Sequence, residues 1–201
     1  MTPWSDIIDG FLRAYPLLIV FSSLMEGLLN KSNENIVFGL ILLISDGLNQ
    51  FLKNLVFRPL IGDGKLGILG RGQRPVHSKN SGLFKTGRES RSYGMPSGHA
   101  QIAWLFTTYW ILKIAREKDR SIVSKMIAEF ILLVLAIMVT YSRVYWMKCH
   151  TLQQVLMGSS VGIALGIIVH IILRKVFPEQ SQECRTVTFN VKKGTTLTGL
   201  Q

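Results

Sequence analysis

Acidic residues are scarce in this chain, and so is charge of either sign. Aspartate and glutamate number 12 against 23 lysines and arginines, and charged residues make up 17% of the 201 positions. Soluble domains carry about 25%, so the deficit points to a membrane protein if the apolar residues are clustered, and they are. Cysteine is nearly absent. With only Cys149 and Cys184, a disulfide framework is excluded. No group of His, Cys, Asp and Glu has metal-ligand spacing, so neither a metal nor a cofactor is expected. The opening stretch from Met1 to Asp6 lacks the basic start of a cleavable signal peptide. Internal repeats and low-complexity tracts are missing too.

What is present is apolar sequence in long runs, giving a hydrophobic fraction of 48% and a mean hydropathy of +0.30. Five segments stand out: Ile7 to Leu29, interrupted by Arg13 and Glu26; Ile36 to Phe57; Ala100 to Ala115; Ile122 to Tyr141; and Val155 to Phe177, closed by Pro178. A spanning helix needs about 20 apolar residues. The second, fourth and fifth segments meet that outright, and the first is the weakest. The third is short, but Trp104, Tyr109 and Trp110 suit it to a membrane interface. The expected fold class is all-α, a polytopic transmembrane bundle of about five spanning helices. Residues 1–177 read as the membrane-embedded domain, and the polar stretch 178–201 as a flexible tail.

The formal net charge of +11 calls for an anionic partner: phosphate, nucleic acid or anionic lipid. No DNA-binding motif is present, and the spanning runs argue against a soluble nucleic-acid binder. A phosphorylated membrane lipid satisfies both facts. Much of the charge lies between the second and third segments, where Arg58, Lys65, Arg71, Arg74, Lys79, Lys85, Arg88 and Arg91 are interleaved with glycines, Gly62, Gly64, Gly67, Gly70 and Gly72 among them. Connections this long are functional or disordered. Residues 58–99 thus form a basic, glycine-rich loop that either touches headgroups or folds over an anion, glycine letting backbone N–H groups approach it. In the fifth segment, Gly158, Gly162 and Gly166 read as a helix-packing face. His170 reads as a hydrogen-bonding residue within the bundle rather than a catalyst.

Three clusters at segment ends carry chemistry. Asp46, Asn49, Gln50 and Lys53 follow i, i+3, i+4, i+7 spacing on the second segment and share a helical face. Such a face points into the bundle, where Asp46 pairs with Lys53 or Lys53 reaches an anion at the surface. Pro96-Ser97-Gly98-His99 opens the third segment, where free N–H groups favour an anion. Ser97 adds a hydroxyl donor, Gly98 permits close backbone approach, and His99 supplies a titratable proton. Ser142-Arg143 ends the fourth segment, and His150 and Gln154 begin the fifth. Arg143 offers a planar fork for phosphate. At i, i+4, the Gln154 amide oxygen can accept from His150 and fix its tautomer, leaving a neutral imidazole able to attack phosphorus. Alternating helix direction brings all three clusters and the basic loop to one membrane face.

These residues resemble the type-2 phosphatidic acid phosphatase superfamily, whose signature is Lys-x6-Arg-Pro, then Pro-Ser-Gly-His, then Ser-Arg-x5-His-x3-Asp. Pro96 to His99 matches unchanged, and the resemblance runs from about Asn49 to Gly158. It implies an all-helical membrane phosphatase with His150 as nucleophile and His99 as general acid. Lys53, Arg74 and Arg143 would neutralise the phosphoryl oxygens, with Ser97 and the Gly98 N–H as further donors. No metal is implied.

Three departures qualify the match. Lys53 is followed first by Arg58-Pro59 and then, after a glycine-rich insertion, by Arg74-Pro75, so either arginine can be the motif residue; Arg74 is favoured because it leads to the histidine motif. Six residues rather than five separate Arg143 from His150. Gln154 stands where the signature has aspartate, as in the dolichyldiphosphatase branch, which the stretch from Arg143 to Val155 also resembles. That resemblance favours a dolichyl or polyprenyl diphosphate as substrate. The alternatives are a phosphatidate or other lipid monophosphate phosphatase, and a non-catalytic binder of anionic lipid. Basic residues from Lys113 to Lys125 and at Arg174-Lys175 favour the opposite side as cytoplasmic. The site would then face a lumen, such as that of the endoplasmic reticulum, or the exterior.

Overall fold

The computed structural model describes residues 3–62, 64–78, 89–90 and 92–178. The expected tail beyond 178, and Lys79, Lys85, Arg88 and Arg91 of the basic loop, lie outside the described residues. Among the described residues, five helical columns make up the fold: α1 (Pro3–Leu29), α2 (Asn33–Phe51), α3 (Gly98–Arg116), α4 (Ile122–Tyr141) and α5 (Leu152–Val176). A π-helical turn, Leu52–Phe57, carries α2 on to Arg58–Ile61, and a second, Ser142–Trp146, extends α4. The strands β1 (Lys65–Leu66) and β2 (Gly70–Arg71) pair antiparallel as a small hairpin between α2 and α3.

Four of the columns are long and apolar enough to cross a bilayer: Trp4–Leu29, Asn33–Ile61, Ile122–Trp146 and Leu152–Val176. The first segment, weakest in sequence, is thus a full-length helix. α3 differs from the other four. At about 28 Å its length suits a hydrocarbon core, but it carries Gln101, Thr107, Lys113 and Arg116 and lies inside the others. Its Ala100, Ala103, Leu105 and Tyr109 are buried, whereas Phe21, Ile44, Phe130 and Ile168 on the outer columns are exposed, as lipid-facing positions should be. The core joins Leu12, Tyr15, Phe38, Leu42, Leu105, Tyr109, Val139 and Leu173, with Phe38 stacked on Tyr109 at a centroid distance of 3.7 Å.

In lipid, apolar surface alone does not hold helices together, so close packing and polar contacts must. The glycine stripe of α5 supplies the first. A Cβ on Gly158 would lie 2.4 Å from the Ser97 carbonyl oxygen, and one on Gly162 would lie 2.3 Å from the Gln101 carbonyl oxygen. On Gly166 it would meet Thr108 Cβ at 2.7 Å. The stripe therefore packs directly on the backbone of α3, in keeping with its reading as a packing face. Polar contacts supply the rest. At the end away from His99 and His150, Glu34 accepts from Tyr109 at 2.6 Å and Lys113 at 3.0 Å. Nearer the histidines, Gln101 donates to the Ser45 carbonyl at 3.0 Å and accepts from Asn49 at 2.9 Å.

The polar face expected on α2 divides. Asn49 and Lys53 are buried, whereas Asp46 and Gln50 are exposed, and among the described residues Lys53 and Asp46 form no ion pair. Lys53 lies in the first π-helical turn, about 10.5 Å along the helix axis from Asp46, too far for a direct pair.

Candidate active site

Two cations of the site are placed by breaks in regular helix. Lys53 sits in the first π-helical turn and Arg143 in the second. The second turn closes by an i→i+5 bond from Met147 N to Ser142 O at 2.7 Å. The Arg143 carbonyl is left to accept from the amides of Cys149 at 3.0 Å and His150 at 3.2 Å. The extra residue between Arg143 and His150 is taken up in this stretch. Thr151 and Gln154 then form a capping box at the start of α5, which fixes the face of α5 that carries Gln154.

Gln154 is fully buried and bonded at both ends of its amide. Oε1 lies 3.0 Å from His150 Nδ1 and accepts from Thr151 N at 3.2 Å. Nε2 donates to the carbonyls of Arg71 at 2.9 Å, Gly72 at 3.3 Å and Gln73 at 2.7 Å. Three carbonyls on one side identify the nitrogen end, so the oxygen faces His150. That ring must then carry its proton on Nδ1, leaving the Nε2 lone pair free. His150 is buried, and its pKa is held well below the ordinary 6.5. Burial is the main cause, followed by Arg74; the Gln154 bond opposes it, while Lys53 and Arg143 add to it. At neutral pH the ring is uncharged.

The same amide reaches the segment that delivers Arg74. Gly72 O accepts from the amides of Gly94 and Met95, both at 3.1 Å, which ties this segment to the approach of the Pro96–His99 turn. Gly94 has no room for a side chain: a Cβ would lie 2.6 Å from Gln154 Nε2. Arg74 donates from Nε to Ser92 O at 3.2 Å, from one terminal nitrogen to Ser92 Oγ at 3.0 Å, and from the other to Cys149 O at 3.2 Å. Its guanidinium thus lies beside the residue preceding His150. Arg58 is exposed, close to where the helical run of α2 ends. Of the two candidate motif arginines, only Arg74 is among the cations acting on His150.

Opposite these groups, the Pro96–His99 turn is held by Ser97 N donating to Gln154 O at 3.0 Å and by Asn49 Nδ2 on Pro96 O at 3.4 Å. Gly98 passes so close to Asn49 that a Cβ would lie 3.0 Å from its Oδ1. Ser97 is fully buried, and its hydroxyl has no hydrogen-bond partner among the described residues. The ammonium of Lys53, a residue 5% exposed, likewise makes no hydrogen bond or ion pair among the described residues. A buried ammonium and a buried hydroxyl without partners are costly unless something binds them.

His99 directs Nε2 at the Arg13 carbonyl of α1 at 3.4 Å, a long contact, and lies within electrostatic reach of Arg143, His150 and Arg74. Arg143 is fully buried and donates to Leu12 O of the same helix. Asp9 and Arg13 of α1 pair at 2.9 Å, nearly buried, and act electrostatically on Arg143. The sequence reading gave α1 no part in the site. Its contribution comes through main-chain carbonyls, which leave no mark in residue type; the i, i+4 pair Asp9–Arg13 in an apolar run was the available signal. The structure therefore brings together Lys53, Arg74, Ser97, Gly98, His99, Arg143, His150 and Gln154, and places Arg58 at the rim.

The chain belongs to the PAP2 superfamily, whose family model matches residues 35–178. Among curated proteins, the chain is similar to the dolichyldiphosphatase of Saccharomyces cerevisiae, 30% identical over 169 residues, covering 82% of this chain and 64% of that protein. It also resembles dolichyldiphosphatase 1 of Dictyostelium discoideum, 37% identical over 89 residues (43% and 38%), and of Homo sapiens, 26% identical over 186 residues (85% and 69%). The chain thus spans between about two fifths and two thirds of these relatives' lengths. No solved structure matches it significantly.

Proposed function

We propose that the protein hydrolyses a lipid diphosphate or lipid phosphate, with a polyprenyl diphosphate such as dolichyl diphosphate favoured, through a phosphohistidine intermediate. The observation that carries this reading is a pair of buried groups without partners among the described residues, the Lys53 ammonium and the Ser97 hydroxyl, beside a neutral, tautomer-fixed His150. Both are satisfied by an anion rich in acceptor oxygens. The relatives' names favour the diphosphate.

In the proposed cycle, His150 Nε2 attacks phosphorus and the bond to the leaving oxygen breaks. His99 gives that oxygen its proton. Water then attacks the phosphoimidazole, His99 takes the proton from water, and inorganic phosphate leaves with His150 neutral again. Lys53, Arg74 and Arg143 balance the charge that spreads over the phosphoryl oxygens, and Ser97 Oγ and Gly98 N–H donate to them. Three fixed cations do here what a divalent ion does elsewhere, so no metal is required. As imidazolium forms, Gln154 orients it without neutralising it.

The exposed aromatics Tyr141, Tyr145 and Trp146, next to Arg143, suit the headgroup level. They support a site at one membrane face, and the basic residues Arg174 and Lys175 at the opposite end of α5 favour that end as cytoplasmic. Phosphate release by the purified protein, with EDTA present, from dolichyl diphosphate and from phosphatidate tests the reading. Turnover should persist in EDTA and vanish in His150→Ala. Unchanged turnover in that variant removes the phosphohistidine step, and lipid binding without turnover in either form makes the protein a binder.

A further inference from the structure

Beside the His150 site, on the far side of Arg74, lies a polar cavity of about 310 Å³. It is lined by Arg58, Arg71, Arg74, His77, Glu89 and Tyr93 among others. This volume holds about ten waters at bulk density, room for a phosphoryl group and its solvent. Three guanidinium groups face it against one carboxylate, and Glu89 is already engaged, 2.9 Å from His77. The guanidinium groups of Arg58 and Arg71 make no hydrogen bond or ion pair among the described residues. Arg74 is fixed by Ser92 and Cys149 and shared between the cavity and the His150 site.

The walls are built rather than loose. Tyr93 donates to Gly62 O at 3.0 Å and lies near Phe57 O at 3.3 Å, tying the loop to the end of α2 beside Arg58. Gly72 passes so close beneath this ring that a Cβ would overlap the Tyr93 hydroxyl. The β-hairpin carries Arg71, and Gln154 grips its carbonyl. Three like charges held around one space repel one another until an anion with several acceptor oxygens occupies it, and guanidinium forks match phosphate oxygens in pairs.

We infer that this cavity is a second phosphate subsite, in which Arg58 and Arg71 hold a further phosphoryl group beside the one that Arg74 presents to His150. The inference rests on the phosphoryl-transfer reading of His150 for its place in the reaction. The occupant is either the second phosphate of a diphosphate substrate or free inorganic phosphate.

The test uses the full chain in nanodiscs, as wild type, Arg58→Gln, Arg71→Gln and the double variant. Binding of pyrophosphate and orthophosphate is measured by calorimetry, and turnover on polyprenyl diphosphate is compared with that on polyprenyl monophosphate. If the subsite holds the substrate's second phosphate, the double variant lowers kcat/KM for the diphosphate at least tenfold more than for the monophosphate. Its preference for pyrophosphate over orthophosphate falls by a similar factor. If it holds free phosphate, orthophosphate stoichiometry drops from two to one while the substrate ratio stays constant. Equal weakening of both anions and both substrates, or no change in any, overturns the subsite. Absence of lipid turnover in wild type with the anion pattern intact would remove the lipid-phosphatase reading and leave the subsite standing.

Discussion

Gln154→Glu separates the two jobs that the buried amide performs. Glutamate matches glutamine in shape and keeps an acceptor for His150 Nδ1–H and Thr151 N. It loses the donors to Arg71 O, Gly72 O and Gln73 O and points a carboxylate oxygen at all three. Two of those bonds, at 2.9 and 2.7 Å, are well formed, and a buried carbonyl left without its donor costs about 1–3 kcal/mol. Part of that is relieved as the segment moves away or the carboxyl takes a proton. A net loss of about 3 kcal/mol at the site is a reasonable centre, and at 1.36 kcal/mol per decade it lowers kcat/KM about 10²-fold.

The opposing effect is that a carboxylate stabilises imidazolium better than an amide does. If orientation and charge at His150 were all that mattered, Gln154→Glu would equal or exceed wild type and only Gln154→Ala would fail. The assay is phosphate release for both variants beside limited trypsin digestion, scoring cleavage after Arg71. Loss in both variants, with faster cleavage at Arg71, is the expected result. A fully active glutamate variant with unchanged cleavage would refute the claim that the amide's donor end positions Arg74.

Two further predictions concern the charge and the packing around His150. Its low pKa keeps the ring neutral below pH 6.5, so the acid limb of kcat/KM should lie below the range of an ordinary histidine. Arg74 is the largest charge contribution to that depression, so Arg74→Gln should raise the pKa and shift the limb to higher pH while lowering activity; a limb that stays put or moves to lower pH sinks this account. Gly158→Ala places a methyl 2.4 Å from Ser97 O, forcing α3 or its turn outward by at least about 0.6 Å to reach a tolerable 3.0 Å. Displacements near 1 Å at a reacting centre cost about 10²-fold, so kcat should fall far more than lipid affinity, and a variant with wild-type kcat would show that the turn tolerates the shift.

Several levels of this structure were legible in the residues. Run length and charge deficit led to the helical columns. The i+4 spacing of Gly158, Gly162 and Gly166 led to the backbone-to-backbone packing, because only glycine permits it. The meeting of Lys53, Ser97 and His150 followed from alternating helix direction. What stayed hidden was carried by the main chain or by register. Leu12 and Arg13 contribute carbonyl oxygens, which every residue type possesses. Gln154 reads as a substitute for an acceptor, but its donors serve carbonyls some 80 positions earlier, and no spacing rule connects those. Lys53 and Asp46 share a face by spacing, but two turns of helix separate them, and only the packing of the bundle buries one and exposes the other. Arg58 and Arg74 could not be ranked by motif, because both precede proline; only the fold of the intervening hairpin sets one at Cys149 and the other at the rim.

That hairpin and the second π-helical turn bear on how a motif tolerates altered spacing. Between Arg143 and His150 the chain has one residue more than the family signature, yet both amides at 149 and 150 bond the Arg143 carbonyl. The added length is absorbed where Met147 bonds Ser142 across five residues and Lys148 takes a left-handed φ of +49°. Left-handed backbone costs an L-residue about 1–2 kcal/mol, a strain the surrounding bonds hold in place. Deleting the exposed Lys148 restores the signature's spacing on paper. If the π-helical turn and the carbonyl of Arg143 together set the geometry, the deletion pulls Cys149 and His150 off that carbonyl and drags Cys149 O from Arg74. Phosphate release should then fall by about 10²-fold or more, on the misplacement scale used above. Activity near wild type in the deleted protein would mean that sequence spacing, and not the turn, positions the histidine.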